Sequence, residues 1–262
     1  MQNHEIDYQI YGEEMQYVEV ELDPNETVMA EAGAFMMMED GIQMETVFGD
    51  GSQQQGGLMS KLFSAGKRLL VGESLFMTSY TNVGMGKKRV SFASPYPGKI
   101  IPMNLARLGG KVICQKDAFL CAAKGVAIGI EFQKRLGTGL FGGEGFIMEK
   151  LEGDGMAFVH AGGHVLRREL APGQLLKVDT GCIVAFMNTV QYDIQFVGGI
   201  KNTLFGGEGV FFATLRGPGS VWIQTLPISR LASRILSFSG SHRKEEGSIL
   251  GGLGNLLDGD GR

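Results

Sequence analysis

The stretch FGGEGF at residues 141–146 decides how this chain folds, because it returns as FGGEGV at 205–210 and, more loosely, as VGESLF at 71–76. In each copy a glutamate follows glycine and precedes residues that favour β-strands. An alternating apolar run follows every copy at a similar distance, as the second strand of a hairpin would. Repetition at this length predicts a tandem of similar β units and argues against one irregular domain.

The front halves of the first and third units repeat as well. The pairs Leu22–Gly33 and Leu170–Gly181 have the same spacing, whereas the middle unit has no such match. We therefore predict one compact body at 1–238 and a flexible glycine-rich tail at 239–262. The predicted units of the body are 10–103, 104–167 and 168–225.

Composition limits the class of protein. Hydrophobic residues make up 44% and charged residues 20% of the 262-residue chain, which is typical of a soluble globular protein with a substantial core. Glycine, at 41 residues, is about twice as frequent as usual and lies between strand-like runs, where turns require it. The net charge of −4 and the pI of 5.7 argue against nucleic acid as a partner.

The pattern of apolar residues predicts an all-β fold. Short alternating runs separated by turn signals are typical of antiparallel β-sandwich or barrel units. The run FMMM at 35–38 is predicted to be a fully buried strand. Two segments instead have apolar residues at helical spacing: an insertion in the first unit near 58–70, and a C-terminal helix near 227–238 that Pro227 begins.

The cysteines and the N-terminus indicate the compartment. Cys114, Cys121 and Cys182 lie in apolar runs and form no Cys-x-x-Cys pair, so we expect reduced thiols. The acidic N-terminus lacks the apolar core of a signal peptide, and no run approaches the ~18 apolar residues of a membrane span. These features predict a cytoplasmic protein.

The three repeated glutamates, Glu73, Glu144 and Glu208, are the first candidates for chemistry. If the units pack around a pseudo-threefold axis, their carboxylates could converge on a hard cation such as Ca²⁺ or Mg²⁺. Alternatively, each carboxylate accepts backbone N–H bonds within its own glycine-rich turn, which includes Gly143 or Gly207 in the two closest copies. The structural role explains why every copy has the same residue, and we favour it.

Other site patterns are weaker. His160 and His164 flank a short glycine-rich segment that we interpret as a hairpin with two exposed histidines, since further metal ligands are lacking. No nucleophile–base spacing stands out, and the glycines at 142–145 lack the following Lys-Ser/Thr and helix of a phosphate loop. The sequence therefore predicts no cofactor, no metal and no catalytic residue, although it leaves enzymatic activity open.

The insertion near 58–70 combines apolar and basic side chains on a helical pattern. Such a segment predicts contact with a membrane surface or a protein partner. The residues predicted to make this contact are Lys61, Leu62, Phe63, Lys67 and Arg68.

Several segments together resemble the altered-inheritance-of-mitochondria protein 24 family, also called domain of unknown function 124. They are PYPGKIIP at 95–102, FLC at 119–121, FQKRLG at 132–137, LFGGEGF at 140–146, VGGIK at 197–201, GPG at 217–219 and QTLP at 224–227. The resemblance extends to about Leu236, and the paired FGGEG motifs make it specific.

The resemblance implies a β-sandwich of the tryptophan-RNA-binding-attenuator-like (TRAP-like) kind with duplicated units, and it implies no catalytic residues. The family's mitochondrial members are linked to inner-membrane organisation. Because this chain has no recognisable transit peptide, it is similar to the bacterial or cytosolic branch. RNA binding does not transfer with the fold name, since fold does not determine function.

Two functional hypotheses remain. The first is a non-enzymatic scaffold or interaction protein that forms homo-oligomers and touches a membrane surface through the insertion. The second is a small-ligand or divalent-metal-binding β-barrel, which includes a possible enzyme, with the repeated glutamates lining its pocket.

Overall fold

The computed structural model describes residues 4–48, 76–134, 146–197, 210–236 and 238. Within these ranges the chain is all-β, with 19 strands, three 3-10 turns and one helix at 228–236. The all-β prediction is therefore confirmed. The predicted helix near 58–70, the three repeated glutamates and the tail at 239–262 lie outside the described residues.

The strands are four to eight residues long, which is ordinary for a globular protein. They are β1 Asp7–Tyr11, β2 Tyr17–Leu22, β3 Thr27–Glu31, β4 Phe35–Met38, β5 Ile42–Phe48, β6 Phe76–Asn82, β7 Lys88–Ala93, β8 Gly98–Asn104, β9 Lys111–Gln115, β10 Phe119–Ala123, β11 Ala127–Lys134, β12 Phe146–Glu152, β13 Met156–Gly162, β14 Val165–Leu170, β15 Leu175–Asp179, β16 Ile183–Met187, β17 Gln191–Val197, β18 Val210–Arg216 and β19 Gly219–Gln224. The 3-10 turns are η1 Ala106–Leu108, η2 Lys116–Ala118 and η3 Thr180–Cys182.

The described strands form four antiparallel sheets. Sheet 1 has the order β1-β2-β7-β4, and sheet 2 has the order β5-β6-β3-β10-β13-β8. Sheet 3 has the order β11-β12-β9-β16-β19-β14, and sheet 4 has the order β15-β18-β17. Sheets 2 and 3 therefore each contain strands from two distant parts of the chain.

The same pairings recur three times along the chain. After β1, the strands fall into three sets of six: β2–β7, β8–β13 and β14–β19. In each set the first strand pairs with the sixth and the sixth with the third, while the second pairs with the fifth and the fifth with the fourth. The second strand of one set also pairs with the third strand of the next, so β3 joins β10 and β9 joins β16.

Alternation of buried residues explains how the sheets stack. In β2 every second residue is buried, and Val18, Val20 and Leu22 all face one apolar core. In β3 the faces differ, because Val28 and Ala30 belong to that core whereas Met29 belongs to the next one. Three such cores separate four layers, with sheets 2 and 3 covered on both faces.

The helix at 228–236 follows β19 directly and confirms the predicted C-terminal helix near 227–238. Its first turn closes with a bond from the Arg230 N–H to the Pro227 carbonyl. The Arg230 guanidinium then lies 3.5 Å from the Asp179 carboxylate and 3.8 Å from the Cys182 sulfur, which holds the helix against η3. No helix in the described residues is long and apolar enough to cross a membrane.

Two local predictions are wrong. The run FMMM forms β4, yet all four of its side chains are exposed, because among the described strands only β7 lies beside it. His160 is only 1% exposed and faces the interior, whereas His164 is exposed as expected. The two do not flank a hairpin, because β13 pairs with β8 and β10 while β14 pairs with β19.

Candidate functional site

The first candidate site is one of the two edges of sheet 1, which we call the β4 edge and define as Phe35–Met38. Its side chains are 41%, 47%, 43% and 40% exposed in chain order. An edge strand normally carries charges or proline that prevent pairing with another chain. The β4 edge carries neither and consists of one phenylalanine and three methionines. A large apolar edge of this kind is a template for another strand.

The equivalent strands show what normally covers such an edge. All five residues of β10 and four of the five residues of β16 are buried, because β3 lies beside β10 and β9 lies beside β16. In β4, β10 and β16 a bulge at the second residue interrupts the pairing with the sixth strand of the same set, which is β7, β13 or β19. The backbone of β4 therefore has the shape that its two equivalents use for pairing.

A second free edge lies in sheet 4. We call it the β15 edge and define it as Leu175–Asp179. Its equivalents β3 and β9 are almost entirely buried, but β15 has Leu175 51% exposed and only Val178 buried. On the side opposite β18, no described strand lies beside β15. We call the pairing of the second strand of one set with the third strand of the next a joint, and the chain forms it twice, as β3–β10 and β9–β16. The β15 edge and the β4 edge are the two kinds of strand that such a joint brings together.

The third candidate is a pocket of about 400 Å³ between the first two sets, which we call the Glu31 pocket. Its lining includes Glu31, Tyr96, Asp117, His160 and the helix residue Ile228. Burial, and then repulsion from Asp117, raise the pKa of the Glu31 carboxyl to about 7. This carboxyl consequently changes charge near neutral pH.

A second buried carboxyl lies close to this pocket. Glu149 is 1% exposed on β12, opposite Cys114 of β9. Burial is the main reason that its pKa rises to about 8, and the charge of Glu31 adds to the effect. Burial followed by the Glu149 charge also raises the pKa of the Cys114 thiol well above its ordinary value. Burial in this region thus favours the neutral form of both carboxyl groups, Glu31 and Glu149.

His160 is unusual because neither ring nitrogen has a hydrogen-bond partner in the described structure. Burial lowers its pKa to about 4, and an interaction with the Tyr96 backbone, too poor in geometry for a hydrogen bond, opposes this in part. The ring packs edge-on against Tyr96, with 4.4 Å between the ring centres. His160 is therefore a neutral, packed histidine at neutral pH.

The residues that the sequence singled out fall elsewhere. The repeated-motif candidates and the predicted contact residues of the insertion all lie outside the described residues: Glu73, Glu144, Glu208, Gly143, Gly207, Lys61, Leu62, Phe63, Lys67 and Arg68. Their predicted roles stay predictions. The described strands do show that each of the three segments with a motif connects two paired neighbours, β5 to β6, β11 to β12, and β17 to β18.

Sequence reasoning missed both free edges and the Glu31 pocket. The edges depend on which strands lack a neighbour, and an apolar run such as FMMM looks the same whether a neighbour covers it or not. Glu31 and Glu149 look like ordinary strand glutamates. A signal was present for Glu149 alone, since it interrupts a run of apolar residues in β12.

A family model described as mitochondrial biogenesis AIM24 matches residues 8–226. An uncharacterized protein of Streptococcus pyogenes serotype M6 is 29% identical over 221 residues, which cover 83% of this chain and 84% of that protein. The crystal structure of another Streptococcus pyogenes protein aligns with a TM-score of 0.69 and 22% identity, covering 89% of this chain and 99% of that one. At this identity the structural likeness shows the fold alone.

Proposed function

The chain belongs to the mitochondrial biogenesis AIM24 family, and we propose that it is a scaffold or interaction protein that self-associates. The observation that carries the proposal is the exposed apolar β4 edge, together with the second free edge at β15. The β4 edge exposes four large apolar side chains at a place where the equivalent strands β10 and β16 are buried by a neighbour. The expectation that the protein is not an enzyme rests on sequence patterns and remains part of the proposal.

The proposal includes the architecture from which the edges follow. The three sets of strands are three fused copies of one TRAP-like module, and each module is a sandwich that shares one sheet with each neighbouring module. The recurrence of every pairing and of the bulge supports this. The segments that connect successive modules are then 94–97, between β7 and β8, and 163–164, between β13 and β14.

Self-association is tested by measuring molar mass. The full-length protein is passed through size exclusion with light scattering over a hundredfold range of concentration. We expect a mass above that of the 28.3 kDa chain that increases with concentration. A constant mass of one chain at every concentration and at physiological salt would refute the proposal.

The membrane part of the proposal rests on the composition of the segment 58–70 alone. Co-sedimentation with liposomes tests it, comparing the full chain with a deletion of 50–70. The matched control is Lys61→Gln/Lys67→Gln/Arg68→Gln, which keeps the apolar pattern and removes the charge. Binding to anionic liposomes that both variants lose supports surface contact, while equal sedimentation of all three proteins removes this part of the function.

A small-ligand protein is the second candidate, favoured by the Glu31 pocket. A pocket of about 400 Å³ with a carboxyl that titrates near pH 7 suits a small organic cation with an apolar body. A thermal-shift screen of primary and quaternary amines tests it, with Glu31→Gln as the variant that should lose any shift. The divalent-metal form of this candidate needs Glu144 and Glu208, and elemental analysis of the purified protein with Glu144→Gln/Glu208→Gln tests it. No group of three or more metal-ligating side chains occurs in the described ranges.

A further inference from the structure

The free edges of sheets 1 and 4 correspond to each other residue by residue. The third strand of each set begins four positions after the second strand ends, so Phe35, Phe119 and Ile183 occupy equivalent positions after Glu31, Gln115 and Asp179. Within the chain, the second strand of one set always lies antiparallel to the third strand of the next. The β15 edge is the second strand of the last set, and no next set follows it in the described ranges. The β4 edge is the third strand of the first set, and no set precedes it there. Each therefore lacks that neighbour among the described residues.

We infer that the partner of the β4 edge is the β15 edge of a second copy of this chain, joined antiparallel and head to tail. This inference rests on the proposed self-association and specifies its contact. The joint would form a sheet that contains the strand order of sheets 2 and 3, because sheet 4 contributes β17-β18-β15 and sheet 1 contributes β4-β7-β2. The strand β1, which pairs with β2, would be a seventh strand at the end of this sheet.

The internal joints also fix the register. Cys121 lies opposite Ala30 in the first joint, and the equivalent Ala185 lies opposite Cys114 in the second. Counting from the ends of the strands, Met37 is equivalent to Cys121 and Val178 is equivalent to Ala30. The joint between copies therefore pairs Met37 with Val178. Two further pairs follow in the antiparallel direction: Met38 with Lys177 and Glu39 with Leu176.

The side chains at this register are compatible with pairing. The Met38 side chain can cover the aliphatic stem of Lys177, because directly opposite residues of paired strands point to the same face of the sheet. Two apolar contacts, of Met37 with Val178 and of Met38 with the stem of Lys177, thus occur at one register between two copies of the same chain.

A head-to-tail joint differs from a symmetric dimer, because each copy keeps one edge free after pairing. Such contacts continue into a ring or a filament, whereas a contact of β4 with another β4 stops at two copies. This difference permits a complementation experiment that separates the two arrangements and does not require knowledge of the final size.

The experiment uses two full-length variants, each blocked at one edge by exposed substitutions. Met37→Glu/Met38→Glu blocks the β4 edge, and Leu175→Glu/Lys177→Glu blocks the β15 edge. We expect each variant alone to have the mass of one chain, and their equal mixture to form a dimer and nothing larger. Dimers of the β15-blocked variant alone would show β4–β4 pairing and overturn the joint, as would a mixture that stays monomeric while the unmodified protein assembles.

Disulfide trapping checks the register on the unblocked protein. In a background with Cys182→Ser, one copy carries Met38→Cys and the other carries Lys177→Cys, so that mild oxidation links them only across the joint. The two remaining native cysteines, Cys114 and Cys121, are buried. The matched control replaces Met38→Cys by Met44→Cys, an exposed methionine on β5. Selective linkage of the first pair is expected, and equal linkage of both pairs contradicts the register.

The outcomes distinguish the two levels of the proposal. If the unmodified protein has the mass of one chain throughout, self-association itself is wrong. If it assembles but the blocked variants assemble equally well, only the head-to-tail joint is wrong. If assembly appears only after removal of 239–262 or 50–70, that segment of the chain covers an edge, and a second copy is not its occupant in the full-length protein.

Discussion

Replacing Glu149 by glutamine is expected to stabilise the protein at neutral and alkaline pH. Burial and the charge of Glu31 raise the Glu149 pKa from an ordinary 4.5 to about 8. Since one pH unit corresponds to about 1.4 kcal/mol, ionising this group in the folded protein costs about 5 kcal/mol more than in the unfolded chain. Glutamine has nearly the same shape and carries no charge, so it avoids that cost.

The sign follows from counting protons. Between pH 4.5 and pH 8 the unfolded chain has released the proton that the folded protein still holds, so the free energy of unfolding falls as pH rises. From pH 5 to pH 8 the loss from Glu149 amounts to about 3 kcal/mol. Glu149→Gln should remove most of this slope and raise the melting temperature at pH 8 by roughly 6–12 °C relative to the unmodified protein.

The assay is urea or thermal unfolding of both proteins at pH 5, 6, 7 and 8, at one protein concentration. Glu152→Gln is the matched control, because Glu152 lies on the same strand but is exposed, and its ion pair with Lys150 at 3.4 Å is a surface contact. We expect that control to change stability by less than about 0.5 kcal/mol. If Glu149→Gln lowers stability at pH 8, or leaves the slope unchanged, the carboxyl is ionised and well solvated in the fold and our reasoning fails.

Three further substitutions test other contacts. His160→Phe keeps an aromatic ring that can pack on Tyr96. Because the histidine has a pKa of about 4 in the folded protein and 6.5 in the unfolded chain, the unmodified protein loses stability as pH falls from 6.5 to 4. In unfolding titrations the variant should therefore lose about 3 kcal/mol less between pH 7 and pH 4 than the unmodified protein. Asn82→Ala removes hydrogen bonds to the Leu22 and Gly86 carbonyls and from the Gly84 N–H, all within 2.9 Å, and should lower the free energy of unfolding by about 3 kcal/mol. The control Asn104→Ala loses one exposed hydrogen bond from the Arg107 N–H and should lower it by less than about 1 kcal/mol. Equal losses in the two variants would contradict the reasoning. Gly98→Ala would place a methyl group 1.9 Å from the Ala161 carbonyl oxygen and should lower the urea midpoint strongly, while Gly129→Ala meets only the flexible end of Lys150 at 3.4 Å and should be close to neutral.

The sequence predicted the all-β class and the C-terminal helix, because both depend on local patterns. Alternation in β2 and the proline at the start of the helix are readable without knowing the rest of the molecule. The family could be predicted too, since the FGGEG motifs are specific and the matched range covers 8–226.

The candidate sites depend on distant contacts and could not be predicted in the same way. The FMMM run has the composition of a buried strand, and its exposure follows from the absence of a second neighbour within the described chain. His160 looked like a hairpin residue because His164 is four positions away, yet the two strands involved pair in different sheets. Glu31 and Glu149 approach each other only because sheet 2 stacks on sheet 3, a long-range arrangement that spacing along the chain does not reveal.

The sharing of sheets between successive sets constrains how a chain of this kind can change its length. Because β3 pairs with β10 and β9 pairs with β16, a cut inside a set would split a six-stranded sheet and uncover apolar cores on both faces. Removal or insertion of one whole set would instead preserve every type of pairing and leave the same two terminal strands. Chains of this fold should therefore differ in length by whole sets of six strands. Smaller differences in length should occur only in the loops between strands.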